Sequence, residues 1–221
     1  FAILYRTNAQ SRALEESLRK RNIAYKIYGG VSFYQRKEIK DLLAYYRLTI
    51  NPNDEEAFKR IINYPTRGVG ATTIQTLNIF ANKHNKSVWQ VINHLDDIEI
   101  NINKGTVRRL KEFALMIHNF IINSKHKDAY TIAEEIAKQT GLFNDLYNNK
   151  SPEGVSKFEN IQGLLNGIKD FSEIAEEGLN KLADFMQDVA LLTDQDKETE
   201  NDFNKVTLMT VHAAKGLEFP Y

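Results

Sequence analysis

The stretch that most constrains this chain lies at its far end, Val206 to Phe219, VTLMTVHAAKGLEF. Val206, Leu208 and Val211, with Thr207 and Thr210 between them, give the β-branched run of a strand covered on both faces. His212, Lys215, Gly216 and Glu218 then crowd into seven residues, which gives one loop a titratable ring, a cation, a φ-permissive backbone and a carboxylate. Open α/β sheets gather their ligand-binding loops at the carboxyl edge of the strands, so this loop is a candidate site. An ordinary strand-to-helix turn with a solvated Lys and Glu accounts for the same residues equally well.

A strand needs neighbours, and the other strand signals lie at the opposite end of the chain. Ala2 to Arg6 reads as a short apolar strand, and Ala24 to Tyr28 as a second one closed by the Gly29-Gly30 turn. Between them Asn8 opens a helix whose expected buried side carries Ala13, Leu14, Leu18 and Ile23. Right-handed crossover makes the two strands expected parallel neighbours. Tyr5 and Arg6 then fall on the sheet edge that would also hold His212 to Glu218 if the last strand joins the same sheet. An aromatic ring and a guanidinium there suit stacking on a base and gripping a phosphate, while the plainer reading makes Tyr5 core and Arg6 half of a surface ion pair.

The 221 residues suffice for one large or two small domains with real cores. With no cysteine there is neither a disulfide frame nor a thiolate metal site, which fits a reducing compartment. No apolar run approaches a membrane span, and the opening FAILYR lacks the shape of a signal peptide, so the chain reads as cytoplasmic with no membrane partner. It starts inside an apparent strand without Met and stops after the loop, as if both ends were cut from something longer. The formal charge of zero hides a division along the chain. Residues 1–127 carry 21 Lys and Arg against 11 Asp and Glu, whereas residues 128–204 carry 6 against 17. The basic part could meet a polyanion; the acidic part would repel one.

From Tyr34 onward the signals are helical. Arg36 to Leu48 places Ile39, Leu42, Leu43 and Tyr46 on one face, and Asp54 to Ile62 follows with Asn53 or Asp54 as cap. In PTRGVGATT, residues 65–73, Pro65 ends the preceding element and Thr72 or Thr73 is expected to cap a helix running to about Lys83. Gly68 and Gly70 before that helix, with Arg67 beside them, form a candidate phosphate-backbone grip, or a tight helix–helix turn and nothing more. It is not a Walker loop, because no G-x-x-x-x-G-K-[ST] occurs in the chain. Ser87 to Leu95 reads as a helix anchored by Trp89, and Asp96 to Gly105 as a hinge. Helices at Thr106–Ile122, Ala129–Gln139, Val155–Ile174 and Leu179–Leu192 follow, with the Gly141 turn of TGLFNDLY opening a short one. Residues 194–203 read as a charged exit linker. The expected fold class is α/β with a parallel sheet, interrupted by a large helical insertion and predominantly helical overall.

AILYRTNAQSRALEE at the start, YGGVSFYQRKEIKD at 28–41, PTRGVG at 65–70 and VTLMTVHAAKGLEFP at 206–220 together resemble the UvrD/PcrA/Rep family of superfamily 1 DNA helicases. The motifs agree in order and spacing over essentially the whole chain, and the Asn-, Lys- and Ile-rich composition leans toward the bacterial PcrA branch. The resemblance implies part of a second RecA-like domain at 1–97, an inserted helical subdomain at 98–203 and a truncated return strand at 204–221. It implies an ATP-driven 3′ to 5′ motor on single-stranded and duplex DNA, working with a missing first RecA-like domain and with accessory proteins. By the same likeness Tyr5 would lie against adenine, Arg6 on the γ-phosphate, and Glu218 on the ribose hydroxyl with Gly216 allowing close approach. Thr210, His212 and Lys215 would couple nucleotide state to DNA contact. Gly68, Gly70 and Thr72, with Arg67, and the Gly141 turn would face DNA. ATP with Mg2+ would be the cofactor, with the metal ligands outside this chain. Two other classes compete: a non-catalytic helical module that binds protein or nucleic acid, and a nuclease-linked helicase of the RecB or AddA type, ranked lower because no metal-ligand cluster is evident.

Overall fold

A computed structural model describes residues 1–175, 178–194 and 205–218, so most of the charged stretch 194–203 and Phe219 fall outside the described residues. The architecture is a small parallel sheet joined to a large helical body. Strands β1 (Ala2–Tyr5), β2 (Tyr25–Tyr28) and β3 (Val206–Thr210) pair in the order β1-β3-β2. Tyr5 stands opposite Thr210 on one side of β3, and Tyr28 opposite Met209 on the other. The expected adjacency of β1 and β2 is therefore corrected: they are parallel, but β3 lies between them. Burial gives the reason. Leu208 and Met209 are 0% and 1% exposed, whereas Leu4 and Tyr28 on the outer strands are 47% and 50% exposed, so the most apolar strand takes the doubly paired centre.

Between β1 and β2 a 3-10 turn, Asn8–Gln10, leads into α1 (Ser11–Lys20). Gln10 Oε1 accepts from the amides of Arg6 (2.9 Å) and Thr7 (3.1 Å), fixing how the chain leaves the sheet. The residues α1 buries are Ser11, Glu15 and Arg19, while Ala13 and Ile23 are exposed and Leu14 and Leu18 half-buried, which corrects the expected apolar face. The cause is the 15 position. Glu15 accepts from Phe33 N–H (3.1 Å), Ser32 Oγ (2.7 Å) and Tyr25 OH (3.3 Å), and Arg19 pairs with it at 3.6 Å. A buried carboxylate must be satisfied, and only this helical face reaches those donors.

Helix α2 (Lys37–Ile50) is the centre of the helical body. The expected face of Ile39, Leu42, Leu43 and Tyr46 is buried, but so are Asp41, Ala44, Tyr45 and Thr49. It is covered all round because α3 (Glu55–Ile61), α6 (Lys104–Ser124), α7 (Ala129–Gln139), α9 (Pro152–Ile174) and α10 (Leu182–Asp194) pack against it. The remaining helices are α4 (Ala71–Lys83), α5 (Val88–Asn93) and α8 (Leu142–Asn148). One buried apolar cluster runs from Phe33 to Val189 and includes Trp89. Asp54 caps α3 through Ala57 N–H (2.9 Å), as its position suggests. Among the described residues no helix is long and apolar enough to cross a membrane.

A buried polar node joins the start of the chain to α9. Arg36 donates to Asn8 O (2.6 Å), Ser11 Oγ (2.8 Å) and Asn160 Oδ1 (2.9 Å), and Asn160 in turn donates to Glu38 Oε1 (2.6 Å). Burial draws the Arg36 guanidinium below its ordinary value, while the Glu15, Tyr5 and Glu38 side chains pull it back up. Truncating a buried charged partner leaves the other charge uncompensated, at about 3–5 kcal/mol. Glu15→Ala should therefore lower the urea midpoint by an amount equivalent to about 3 kcal/mol, whereas Ala13→Ser on the exposed face of the same helix should stay within about 0.5 kcal/mol of the parent. Equal midpoints for the two variants would show that the 15 position carries no such load.

Candidate functional site

The pairing of β1 with β3 sets the geometry of the sheet edge. Val211 N–H donates to Tyr5 O at 2.9 Å, so Arg6 leaves the sheet directly beside Val211 and His212. After β3 the chain turns through residues 211–216, with Ala213 N–H on Thr210 Oγ1 (3.1 Å) and Ala214 N–H on Thr210 O (3.0 Å). Thr210 thus organises the loop, and His212, Lys215, Gly216 and Glu218 stand exposed on it. Gly216 has φ +85° and open space where a side chain would start. Gly29, at φ +74°, packs the β2 turn on this loop: a Cβ there would come within 3.2 Å of Ala213 Cβ. The structure therefore brings Arg6, Thr210, His212, Lys215, Gly216 and Glu218 to one edge.

Tyr5 is different. Its side chain is 6% exposed, and burial raises its phenol above the ordinary tyrosine value. Little of the ring is exposed, and the part that reaches the surface faces a cleft. A cleft of about 440 Å³ opens beside it, lined by Tyr5, Tyr28, Lys37, Lys157, Asn160 and Thr210 among others. Tyr28 is the half-exposed ring there. Its place at the end of β2 was legible; Lys157 and Asn160 come from α9, and no local signal could have assigned them to this cleft.

The glycine loops form a second region. Arg67 does not face outward as a phosphate grip. Its Nη1 donates to Ile61 O (3.0 Å) and Pro65 O (3.1 Å), and its Nη2 to Tyr45 OH (2.7 Å) and Thr140 O (3.1 Å). The guanidinium also lies over the rings of Tyr45 and Phe113, 5.7 and 5.4 Å from their centroids. That fork is spent on the fold, which corrects the expected role. Tyr45 donates in turn to Tyr64 O (2.5 Å), and burial pushes its phenol up to about 12 despite the neighbouring Arg67.

What Arg67 does is join the two glycine turns that the sequence kept apart. Through Thr140 O it holds the Gly141 turn, at φ +83°, beside the Pro65–Gly70 loop, and Pro65 Cγ lies 3.9 Å from where a Cβ of Gly141 would stand. Asn63 Oδ1 accepts from the amides of Arg67 (2.9 Å) and Val69 (3.1 Å), so the loop is held from below while Gly68 and Gly70 remain exposed. The cap of α4 is Gly70 rather than Thr72 or Thr73, because the chain is already extended at 70 and helical from 71. Thr72 is exposed in the first turn. Among the described residues no group of three or more His, Cys, Asp or Glu side chains could hold a metal ion.

Arg67→Ala should lower the unfolding midpoint by about 2–3 kcal/mol, and Arg67→Lys nearly as much, since a single ammonium cannot reproduce a planar fork on four acceptors. Chemical denaturation checks this, and wild-type stability in both variants would return Arg67 to the surface.

The sequence model of the UvrD-like helicase C-terminal domain matches residues 1–221. The ATP-dependent DNA helicase PcrA of Bacillus subtilis strain 168 is 42% identical over 224 residues, covering 99% of this chain and 30% of that protein. The PcrA helicase of Leuconostoc citreum is 40% identical over 224 residues, covering all of this chain and 30% of the relative. That of Staphylococcus epidermidis strain RP62A is 40% identical over 220 residues. The chain thus spans about 30% of the length of the curated relatives it matches. With a whole-chain family match and identities of this size, the chain belongs to the UvrD-like helicase C-terminal domain family.

Proposed function

We propose that this chain is one part of a cytoplasmic, ATP-dependent DNA helicase that moves 3′ to 5′ on single-stranded DNA and acts in repair or replication. The observation that carries the reading is the shared sheet edge, where two adjacent parallel strands deliver Arg6 and the His212–Glu218 loop side by side. We assign residues 1–97 and 204–221 to the RecA-like part and 98–203 to the insertion, with α2 and α3 of the first sharing one apolar core with the helices of the second.

The residues present fit one flank of a nucleotide. Glu218 offers a carboxylate to a ribose hydroxyl, and Gly216 lets the backbone approach closely. ATP with Mg2+, when bound, supplies the phosphoryl group to be cleaved. The phosphate cradle and the metal ligands belong to the first RecA-like domain, which is the principal partner; accessory proteins are further ones. Arg6 supplies an exposed guanidinium for a phosphate. Beside the loop that carries Gly216 and Glu218, it takes the γ-phosphate side of that nucleotide, where a guanidinium offsets charge developing in transfer. Thr210 shapes the loop from which His212 and Lys215 meet the DNA strand. The exposed Gly68, Gly70 and Thr72, with the Gly141 turn held against them, form a duplex-facing surface.

Two measurements test this. The purified chain alone should show no ATP turnover above a contaminant control, because it lacks a phosphate cradle; turnover by this chain would overturn the division of labour. In the full-length protein Arg6→Ala should lower kcat for ATP far more than it weakens ATP binding, since the contact strengthens in the transition state. An intact kcat with weakened single-stranded DNA binding would place Arg6 on the DNA strand instead.

A further inference from the structure

With Arg67 committed to the fold, the glycine loops lack the cation expected for them, and α6 provides another. Arg109, in the second turn of α6, lies across Gly68. Its Nη2 donates to Gly68 O (3.1 Å) and to Thr106 Oγ1 (2.8 Å). A Cβ at Gly68, where φ is +68°, would stand 3.4 Å from Cζ of Arg109. Glycine at 68 therefore both permits the turn and leaves room for the guanidinium. Arg109 is half-buried, and its Nε is buried without a hydrogen-bond partner. Among the described residues no carboxylate pairs with Arg109, in contrast to its neighbours Arg108 (Glu112, 2.9 Å) and Lys111 (Asp96). The guanidinium is held in place by two neutral acceptors while its charge stays uncompensated.

The surroundings are basic. Lys104, at the start of α6, is exposed and has no ion pair among the described residues; Arg108, one turn further along, has 81% of its side chain exposed. This edge continues the exposed Gly68–Gly70 backbone, and it belongs to the half of the chain with a net positive charge. Cations beside exposed, side-chain-free backbone are complementary to a sugar-phosphate chain.

We propose that Arg109 is the phosphate-binding residue of the glycine-loop surface, contacting the backbone of duplex DNA, with Lys104 and Arg108 extending the track along α6. The proposal rests on the DNA helicase reading given above. Held by Gly68 O and Thr106 Oγ1, the guanidinium is oriented before the phosphate arrives, so little side-chain freedom is lost on contact. The contact reads no bases, and its strength should follow counterion release.

The test uses the full-length protein and fluorescence anisotropy with a 3′-tailed duplex and with the matching single strand, across a monovalent salt series. Arg109→Ala should bind the tailed duplex about eight-fold more weakly near ~0.1 M salt and lower the slope of log K against log salt by about one. Single-strand affinity should stay at the wild-type value, while losing the bonds to Gly68 O and Thr106 Oγ1 should lower the unfolding midpoint modestly. Lys104→Ala with Arg108→Ala should give a further drop in the duplex slope. If Arg109→Ala proves unstable, Arg109→Gln decides, since it removes the charge while keeping a donor for Gly68 O. Wild-type duplex affinity and slope in the neutral variant, or equal losses on duplex and single strand, would overturn the proposal. If the wild-type protein itself shows no salt-dependent binding to either DNA, the helicase reading fails, and this proposal fails with it.

Discussion

The structure depends on β3 inserting between β1 and β2. Two short strands joined only through α1 make no sheet of their own, and the strand that completes them arrives after the whole helical body. Closing so long a loop costs less than its length suggests, since each doubling adds only about 0.6 kcal/mol of closure entropy. The gain is large: both edges of β3 are paired and Leu208 and Met209 are fully enclosed. This arrangement also creates the site, because parallel pairing is what carries Arg6 and the His212 loop to one edge.

The helical body is fixed to that sheet by polar contacts rather than by apolar packing alone. Glu15 holds α1 to the loop that follows β2, the Arg36–Asn160–Glu38 node holds α9 to the start of the chain, and Arg67 holds two glycine turns together. Each is a buried or half-buried charge with its acceptors or donors in place, so each resists displacement more than a comparable apolar contact would. Such directional contacts suit an assembly whose exposed loops must keep fixed relative positions. The three nodes lie on different elements, yet all of them border either the sheet edge or the glycine loops.

Much of this was legible in the residues. The helices from α2 to α9 fall close to where periodicity and capping residues put them; Asp54 caps as expected, and Trp89 is core. The position of the sheet edge was legible too, because a β-branched run ends at His, Lys, Gly and Glu; whether that loop is a site or an ordinary turn was not. Two assignments changed for one kind of reason. Arg67 and the buried face of α1 are each decided by what lies opposite them: four backbone and hydroxyl acceptors around Arg67, and the Phe33 amide facing Glu15. A guanidinium next to glycines reads the same in sequence whether it points at a ligand or at carbonyls six, or seventy-three, residues away.

The sequence by itself determined the helical and strand segments, the return of the chain to its first sheet, and which residues cluster at the carboxyl edge, because these follow from local periodicity, turn chemistry and the need of an apolar strand for partners. The tertiary structure alone decided the strand order, the meeting of the Pro65–Gly70 loop with the Gly141 turn, and the exchange of Arg67 for Arg109 as the uncompensated cation beside Gly68. Local rules fix what a segment is; which charge is consumed and which is left free depends on acceptors brought in from distant parts of the chain.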